Sequence, residues 1–269
     1  MHSETSEERV PVVALHCSLG SSAQWRSLAR AMPEREVIAL DLLGYGNTPA
    51  PARDDRFSLD DEVDAIERTL LERPGCERAL HLVGHSYGGA VAWRFALRNP
   101  GRVRSIALFE PVTIWLVQHH PAAESFLHLA KSVCRAVEVG LSLQAARRFI
   151  DFWSGPDTFS SLPNERQSAI VERMGKVRLD FIACLSECSA LPAPGYLQMP
   201  ALLMNGSDGL DLMRTNIRIL RRAFGDSATA EIQGGHMAPV ENRAHVDSAI
   251  ASFIRRSEHQ TASTELLGA

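Results

Sequence analysis

Apolar positions in the first third of the chain fall in short runs separated by helical spacing and turn residues. Val10 to His16 (VPVVALH) ends in the small-residue loop Cys17 to Ser22. Gln24 to Ala31 then has helical spacing, and Glu36 to Leu40 (EVIAL) is a second short run. Runs this short, rich in aliphatics and bounded by turn-formers, read as strands buried on both faces. Asn47 to Asp55, rich in Pro, Ala and Asp, is a loop. Ser58 is a good helix start, because its hydroxyl can accept a free first-turn N–H and Asp60 and Asp61 favour the positive helix end. Val63, Ile66 and Leu70 give that helix its apolar stripe. A strand at Ala79–Val83, a helix at Tyr87–Arg98 stopped by Asn99-Pro100-Gly101, and a strand at Val103–Phe109 complete the segment.

After Pro111 the alternation ceases. The spacing predicts helices over about 121–139, 142–153 and 164–188, with no strand among them. Gly155-Pro156 separates the second from the third, Asn164 and Gln167 resemble a capping box, and Pro192-Ala193-Pro194-Gly195 closes the stretch. Alternation resumes with a strand at Ala201–Asn205, a helix over about 211–223, a strand at Thr229–Gln233 and a helix over about 241–255. The pattern predicts an α/β protein: a mainly parallel sheet flanked by helices, built from residues 10–111 and 199–256. A helical cap, 112–198, is inserted after the strand that ends near Glu110. The polar ends, 1–9 and 257–269, are expected to be flexible.

Composition narrows the partners. The 28 Lys and Arg against 32 Asp and Glu leave a net charge of −4 with no basic stripe, which argues against nucleic acid as a partner. No apolar run approaches the roughly 18 residues of a membrane span, and the acidic start lacks the pattern of a signal peptide. Cys17, Cys76, Cys134, Cys184 and Cys188 form an odd set without metal-ligand spacing, so free thiols in a cytoplasmic protein are expected, with no metal and no cofactor. Neither a dinucleotide nor a Walker-type glycine pattern occurs around Gly84 to Gly89.

The sharpest local signal is Gly84-His85-Ser86-Tyr87-Gly88, between a predicted strand and a predicted helix. A serine on such a turn projects its hydroxyl above the sheet edge, and the glycines relieve crowding. A glycine-rich turn that merely packs helix on sheet is the plain alternative. A nucleophilic serine needs a base. His2 and His259 lie near the chain ends, His119 and His120 begin the insert, and His16 and His85 belong to tight loops. His236, in Gly234-Gly235-His236 after the last strand, is the expected base.

The acid that orients the imidazole is less determined. Asp208 is preferred as the earliest acid in the loop after Ala201–Asn205. Asp211, which could instead cap a helix, and Glu110, at the end of the strand beside that of Ser86, remain alternatives. An oxyanion would be held by the backbone N–H groups of Tyr87 and Ser18. Cys17, His85, Trp115 and Trp153 are candidate pocket residues. Phe126, Phe149, Phe152, Phe159 and Phe181 either line that pocket or pack the insert, and periodicity does not separate the two roles.

Taken in order, these markers resemble the α/β-hydrolase superfamily, in its capped esterase, carbon–carbon hydrolase and haloperoxidase-like branch. His16 to Trp25 is similar to that branch's oxyanion loop, with Cys17 where glycine is usual. Asp41-Leu42-Leu43-Gly44-Tyr45-Gly46 resembles its Asp-x-x-Gly-x-Gly turn, Val83 to Gly89 its elbow, and Phe109-Glu110-Pro111 its lead into the cap. The resemblance implies an acyl-enzyme serine hydrolase acting on a small ester, thioester or lactone. It also implies six parallel strands, since only nine residues precede the first. A diketone-cleaving carbon–carbon hydrolase and a non-catalytic ligand-binding protein are the alternatives, and the oligomeric state is left open.

Overall fold

A computed structural model of the chain describes residues 9–51, 56–73 and 79–267, with side chains to 259. Its strands are β1 (Val12–Leu15), β2 (Val37–Leu40), β3 (Leu80–His85), β4 (Val103–Phe109), β5 (Ala201–Gly206) and β6 (Ser227–Ile232). They pair in parallel in the order β2-β1-β3-β4-β5-β6. The helices are α1 (Arg26–Ala31), α2 (Leu59–Leu71), α3 (Tyr87–Arg98), α4 (Glu124–Glu138), α5 (Ser142–Ser154), α6 (Thr158–Ser161), α7 (Asn164–Glu172), α8 (Met174–Ser186), α9 (Asp211–Leu220), α10 (Ala238–Glu241) and α11 (Arg243–Leu267). Helices α4 to α8 form the inserted cap between β4 and β5. Residues 1–8, 52–55, 74–78 and 268–269 lie outside the described residues, and with them the expectations for the N-terminus, for Cys76 and for the end of the 47–55 loop.

Each strand sends alternate side chains to opposite faces. Val12 and Ala14, with Val83, Ala107, Phe109, Leu202 and Met204, join Trp25 and Leu28 near or on α1 and Val246, Ile250 and Ile254 on α11. Val13, Leu15, Leu82, Ile106, Leu108 and Leu203 join α2, α3, α9 and the cap in the larger core. Burial on both sides explains why these strands read as continuous apolar runs. The chain passes from β1 outward to β2 and returns to β3 on the other side of β1. A crevice therefore opens above β1 and β3, where ligands collect in open α/β sheets.

Some local expectations change. The Ser58 cap forms, with its hydroxyl accepting from Asp61 N and the Asp61 carboxylate accepting from Ser58 N at 2.8 Å. The Asn164–Gln167 box does not: Pro163 precedes α7 without a side-chain cap, and Gln167 donates to the Leu162 carbonyl at 2.8 Å. The single helix expected over 164–188 is two, broken at Arg173.

The tail from Ser257 is helical to Leu267, against the expectation of a loose end. Its anchor is long-range. Glu258 forms a forked ion pair with Arg35 and meets His81 Nε2 at 3.2 Å, while His81 Nδ1 lies 2.7 Å from Ser105 Oγ.

Burial opposes ionisation of Glu258, but the His81 and Arg35 contacts prevail and hold its carboxyl down at about 2, below an ordinary 4.5. A carboxyl depressed in the folded state stabilises above its unfolded value and loses that contribution as pH falls through the folded one. Glu258→Gln is therefore expected to cost about 1–2 kcal/mol in urea unfolding at neutral pH, allowing for partial exposure. The gap to wild type should close between pH 4.5 and about 2. A gap that persists at the acid end would contradict this assignment.

Candidate active site

The elbow follows from crowding. Ser86 adopts φ 56° and ψ −119°, outside the regions comfortable for an L-residue, between the last residue of β3 and the first of α3. Ser86 N donates to Phe109 O at 3.0 Å, and Val112 N donates to Ser86 O at 3.0 Å, so the end of β4 and the segment after it hold the turn from both sides. A Cβ on Gly84 would come within 2.6 Å of the Gly88 carbonyl oxygen, and one on Gly88 within 2.3 Å of that of His16. The two glycines thus let α3 start against β3 and let the loop after β1 press against the elbow. Strain of this kind, of order 1–3 kcal/mol, persists only where the surroundings over-determine it.

His236 Nε2 lies 2.9 Å from Ser86 Oγ, and His236 Nδ1 lies 2.7 Å from Glu110 Oε2. An ionised carboxylate can only accept, so Nδ1 carries the proton and Nε2 is left to receive the serine hydroxyl. The arrangement is enclosed: Ser86, Glu110 and His236 are all buried.

Glu110 is the acid brought to the imidazole, which departs from the preference for Asp208. Its Oε1 accepts from Gly206 N at 2.9 Å, and Gly209 packs so close that a Cβ there would sit 2.3 Å from that oxygen. The loop after β5 therefore cradles Glu110 with its backbone. Asp208 N donates to Gly234 O at 3.0 Å while its side chain is exposed and meets Ser207 Oγ at 3.1 Å. Asp211 is exposed at the start of α9, with Arg214 as its neighbour at 3.8 Å. Like Ser86, Glu110 has a positive φ, 40°, just beyond its strand.

The loop after β1 is fixed by neutral hydrogen bonds. His16 Nδ1 donates to Cys17 O at 2.7 Å and its Nε2 accepts from Leu42 N at 3.1 Å. Burial lowers the His16 pKa to about 4, so the ring is uncharged at neutral pH. Cys17 N donates to Gln24 Oε1 at 3.2 Å, Gln24 Nε2 to His85 Nδ1 at 3.1 Å, and His85 Nε2 to His236 O at 2.9 Å. This chain of bonds ties the loops bearing Ser18, Ser86 and His236. Nothing in the sequence singled out Gln24. Burial holds His85 well below an ordinary imidazole, which keeps it neutral in that chain.

A small pocket of about 20 Å³ opens onto Ser86 and is lined by Ser18, Tyr87, Val112, Phe126, Phe149, Trp153, Val177, Asp180, Phe181 and Cys184. Of the candidate pocket residues only Trp153 is among these. Its ring stacks on His236 with centroids 3.9 Å apart and planes 23° apart. Trp115 is buried beside the cavity without lining it, and His85 lies behind His236. Cys17 turns toward Gly20, and burial pushes its thiol up to about 12, so it is not a reactive thiolate. Phe126, Phe149 and Phe181 face the cavity; Phe152 and Phe159 pack within the cap. The N–H of Tyr87, first in α3, has no intrahelical partner by position. Ser18 and Tyr87 both line the pocket beside Ser86.

Sequence reasoning missed a buried polar cluster beside this cavity. Asp180 Oδ2 accepts from Ser18 Oγ and from Tyr45 OH, each at 2.6 Å. Lys176 Nζ binds Asp180 Oδ1 and lies 3.1 Å from Glu62 Oε1, which also accepts from Tyr87 OH at 3.1 Å. Burial would strip the charge from Lys176, but Asp180 and Glu62 outweigh that and hold its pKa above normal. Lys176 and Asp180, four apart among Val177, Phe181 and Cys184, were a legible signal: two charges on an apolar helix face. Among the described residues no group of His, Cys, Asp and Glu is arranged to hold a metal, and no helix is long and apolar enough to cross a membrane.

The profile of the family described as "alpha/beta hydrolase fold" matches residues 10–243. The chain is 34% identical over 103 residues to a probable lysophospholipase, BODYGUARD 4, of Arabidopsis thaliana, covering 37% of this chain and 24% of that protein. It is 29% identical over 154 residues to a putative 2-succinyl-6-hydroxy-2,4-cyclohexadiene-1-carboxylate synthase of Bacillus subtilis, covering 56% of this chain and 52% of that one. The chain thus spans about a quarter to a half of these relatives. A thermophilic esterase from Thermogutta terrifontis shares the fold with a TM-score of 0.69 at 20% identity, over 93% of this chain and 90% of that one.

Proposed function

Since the chain belongs to the α/β-hydrolase fold family, we propose that it hydrolyses a small acyl ester, or a related thioester or lactone, through a Ser86 acyl-enzyme. The observation that carries this reading is the unbroken contact Ser86 Oγ–His236 Nε2–Glu110 at 2.9 and 2.7 Å. In the first half-reaction Ser86 Oγ bonds to the substrate carbonyl carbon and its proton passes to His236 Nε2. The resulting imidazolium is balanced by Glu110, and the oxyanion is met by the N–H groups of Ser18 and Tyr87. Collapse breaks the bond to the leaving alcohol, which takes the proton from His236. Water then repeats the sequence: its proton goes to His236, its oxygen to the acyl carbon, and the acid leaves as Ser86 is reprotonated.

A carbon–carbon hydrolase would use the same serine and imidazole, and 37% identity over 102 residues (36% of this chain, 35% of that one) to a 2-hydroxymuconate semialdehyde hydrolase of a Pseudomonas strain keeps that second reading open. A cytoplasmic location goes with the main reading, since the described cysteines Cys17, Cys134, Cys184 and Cys188 are all free thiols. The test is a panel of aryl esters, thioesters, lactones and vinylogous diketones, alongside mass-spectrometric mapping of a fluorophosphonate adduct. Ester turnover with the adduct on Ser86 is expected. Diketone cleavage without ester turnover would move the assignment to the second reading, and an adduct elsewhere would remove it.

A further inference from the structure

The lining of the pocket above Ser86 is apolar and aromatic apart from Ser18, Ser86, Cys184 and one charged residue. Asp180, from cap helix α8, is the charged side chain among its described lining residues, and it is 4% exposed. No Lys or Arg shares that lining. The nearby ammonium of Lys176 does not face the cavity. It is bound by Asp180 and Glu62 and enclosed by the rings of Tyr45, Phe57 and Tyr87 at 4.7–4.8 Å. Two carboxylates therefore surround one cation, and a third carboxylate, Glu110, lies behind His236.

Three donors hold Asp180 in this place: Ser18 Oγ, Tyr45 OH and Lys176 Nζ. Those hydrogen bonds favour the carboxylate and counter the burial that raises its pKa. A second carboxylate entering with the substrate would lose its hydration, find no cation, and face Asp180 across a low-dielectric space.

We propose that Asp180 sets the charge of the acyl group this site takes: neutral acyl chains are accepted and those ending in a carboxylate are rejected. The proposal rests on the Ser86 hydrolase reading. It separates this pocket from sites that must hold an anionic substrate, which need a cation in the lining.

The test uses three 4-nitrophenyl esters of matched length: the butyrate, the hemisuccinate, which adds a carboxylate, and the succinamate, which adds a neutral amide of the same shape. The readout is kcat/KM after subtraction of the uncatalysed rate. Wild-type enzyme is expected to prefer the succinamate to the hemisuccinate by at least roughly tenfold, the size expected for like charges meeting in a partly buried site. Asp180→Asn, which keeps the shape but exchanges one acceptor oxygen for an amide donor, should narrow that ratio by about tenfold.

Because both quantities are ratios, a general loss of activity in the variant cancels. The wild-type comparison also stands if the variant fails to fold. Equal wild-type rates on hemisuccinate and succinamate would overturn the proposal, as would a folded Asp180→Asn whose ratio stays within about threefold of wild type. Ser86→Ala run in parallel separates the two levels. If it is inactive and the ratios are flat, only the charge rule fails; if it keeps wild-type turnover, the hydrolase reading falls and the charge rule with it.

Discussion

Ser86→Ala is expected to leave a folded protein whose ester turnover drops by on the order of 10⁶, the scale of triad loss in a serine hydrolase. Removing Oγ removes the atom proposed to form the acyl bond, and His236 then has no hydroxyl within reach on that side. A residue of activity should remain, because the flanking amides and the aromatic cavity can still bind and polarise the ester. The fold should tolerate the change, since among the described residues the Ser86 side chain bonds only to His236 and alanine fits the same turn. The measurement is kcat/KM on an aryl ester with circular dichroism as the folding control. Turnover within tenfold of wild type in a folded S86A would remove Ser86 from the chemistry.

Glu110→Gln should cost about 10⁴ in kcat, a magnitude taken from the serine-protease acid and not computed for this protein. The direction follows from the two contacts of the carboxylate. Gly206 N–H donates to Oε1 at 2.9 Å, so a glutamine there would turn its carbonyl oxygen to that amide. Its NH₂ group would then face His236 Nδ1, which must give up its proton to accept. The proton would reside on Nε2 instead, and an N–H there cannot receive the Ser86 hydroxyl. Asp208→Asn and Asp211→Asn, both at exposed positions, should stay within about threefold of wild type, since surface substitutions usually have small effects. Parallel kcat/KM values decide it. A folded Glu110→Gln with normal turnover, beside a collapsed Asp208→Asn, would return the role to the loop after β5.

The contrast between Glu110 and Asp208 shows where sequence reading stops. The strand–helix alternation, the parallel sheet of six strands and the inserted cap were all legible, because each rests on a local apolar period. The pairing of Ser86 with His236 was legible because glycines mark the turns that present them. The carboxylate that meets the imidazole was not, because two acids follow strands at the same sheet edge and the choice depends on which way the chain after Gly206 bends. That bend is set by Asp208 N bonding to Gly234 O, a contact across strands. Burial distinguishes the pair in hindsight: Glu110 ends a strand with no exposed residue, whereas Asp208 follows Ser207 in a polar loop.

The C-terminal helix failed for a similar reason. Ser257 to Leu267 looks polar and unpatterned, yet Glu258 is anchored by Arg35, 223 positions earlier. Lining and packing aromatics of the cap share one helical period, so only the packed structure separates Phe126, Phe149 and Phe181 from Phe152 and Phe159.

Ser86 and Glu110 stand one residue beyond paired neighbours on adjacent strands, with His85 opposite Phe109 and Gly84 opposite Leu108 in the β3–β4 register. Their separation is therefore inherited from the spacing of two hydrogen-bonded strands, a distance that side-chain substitution hardly alters. For engineering this makes the fold modular. A foreign lid could be spliced in after Thr113, whose hydroxyl bonds Asn216 at 2.9 Å, without disturbing how Ser86 and Glu110 are spaced. What such a chimaera would have to rebuild is the cap's share of the site: the Trp153 ring on His236 and the Asp180 contact with Ser18.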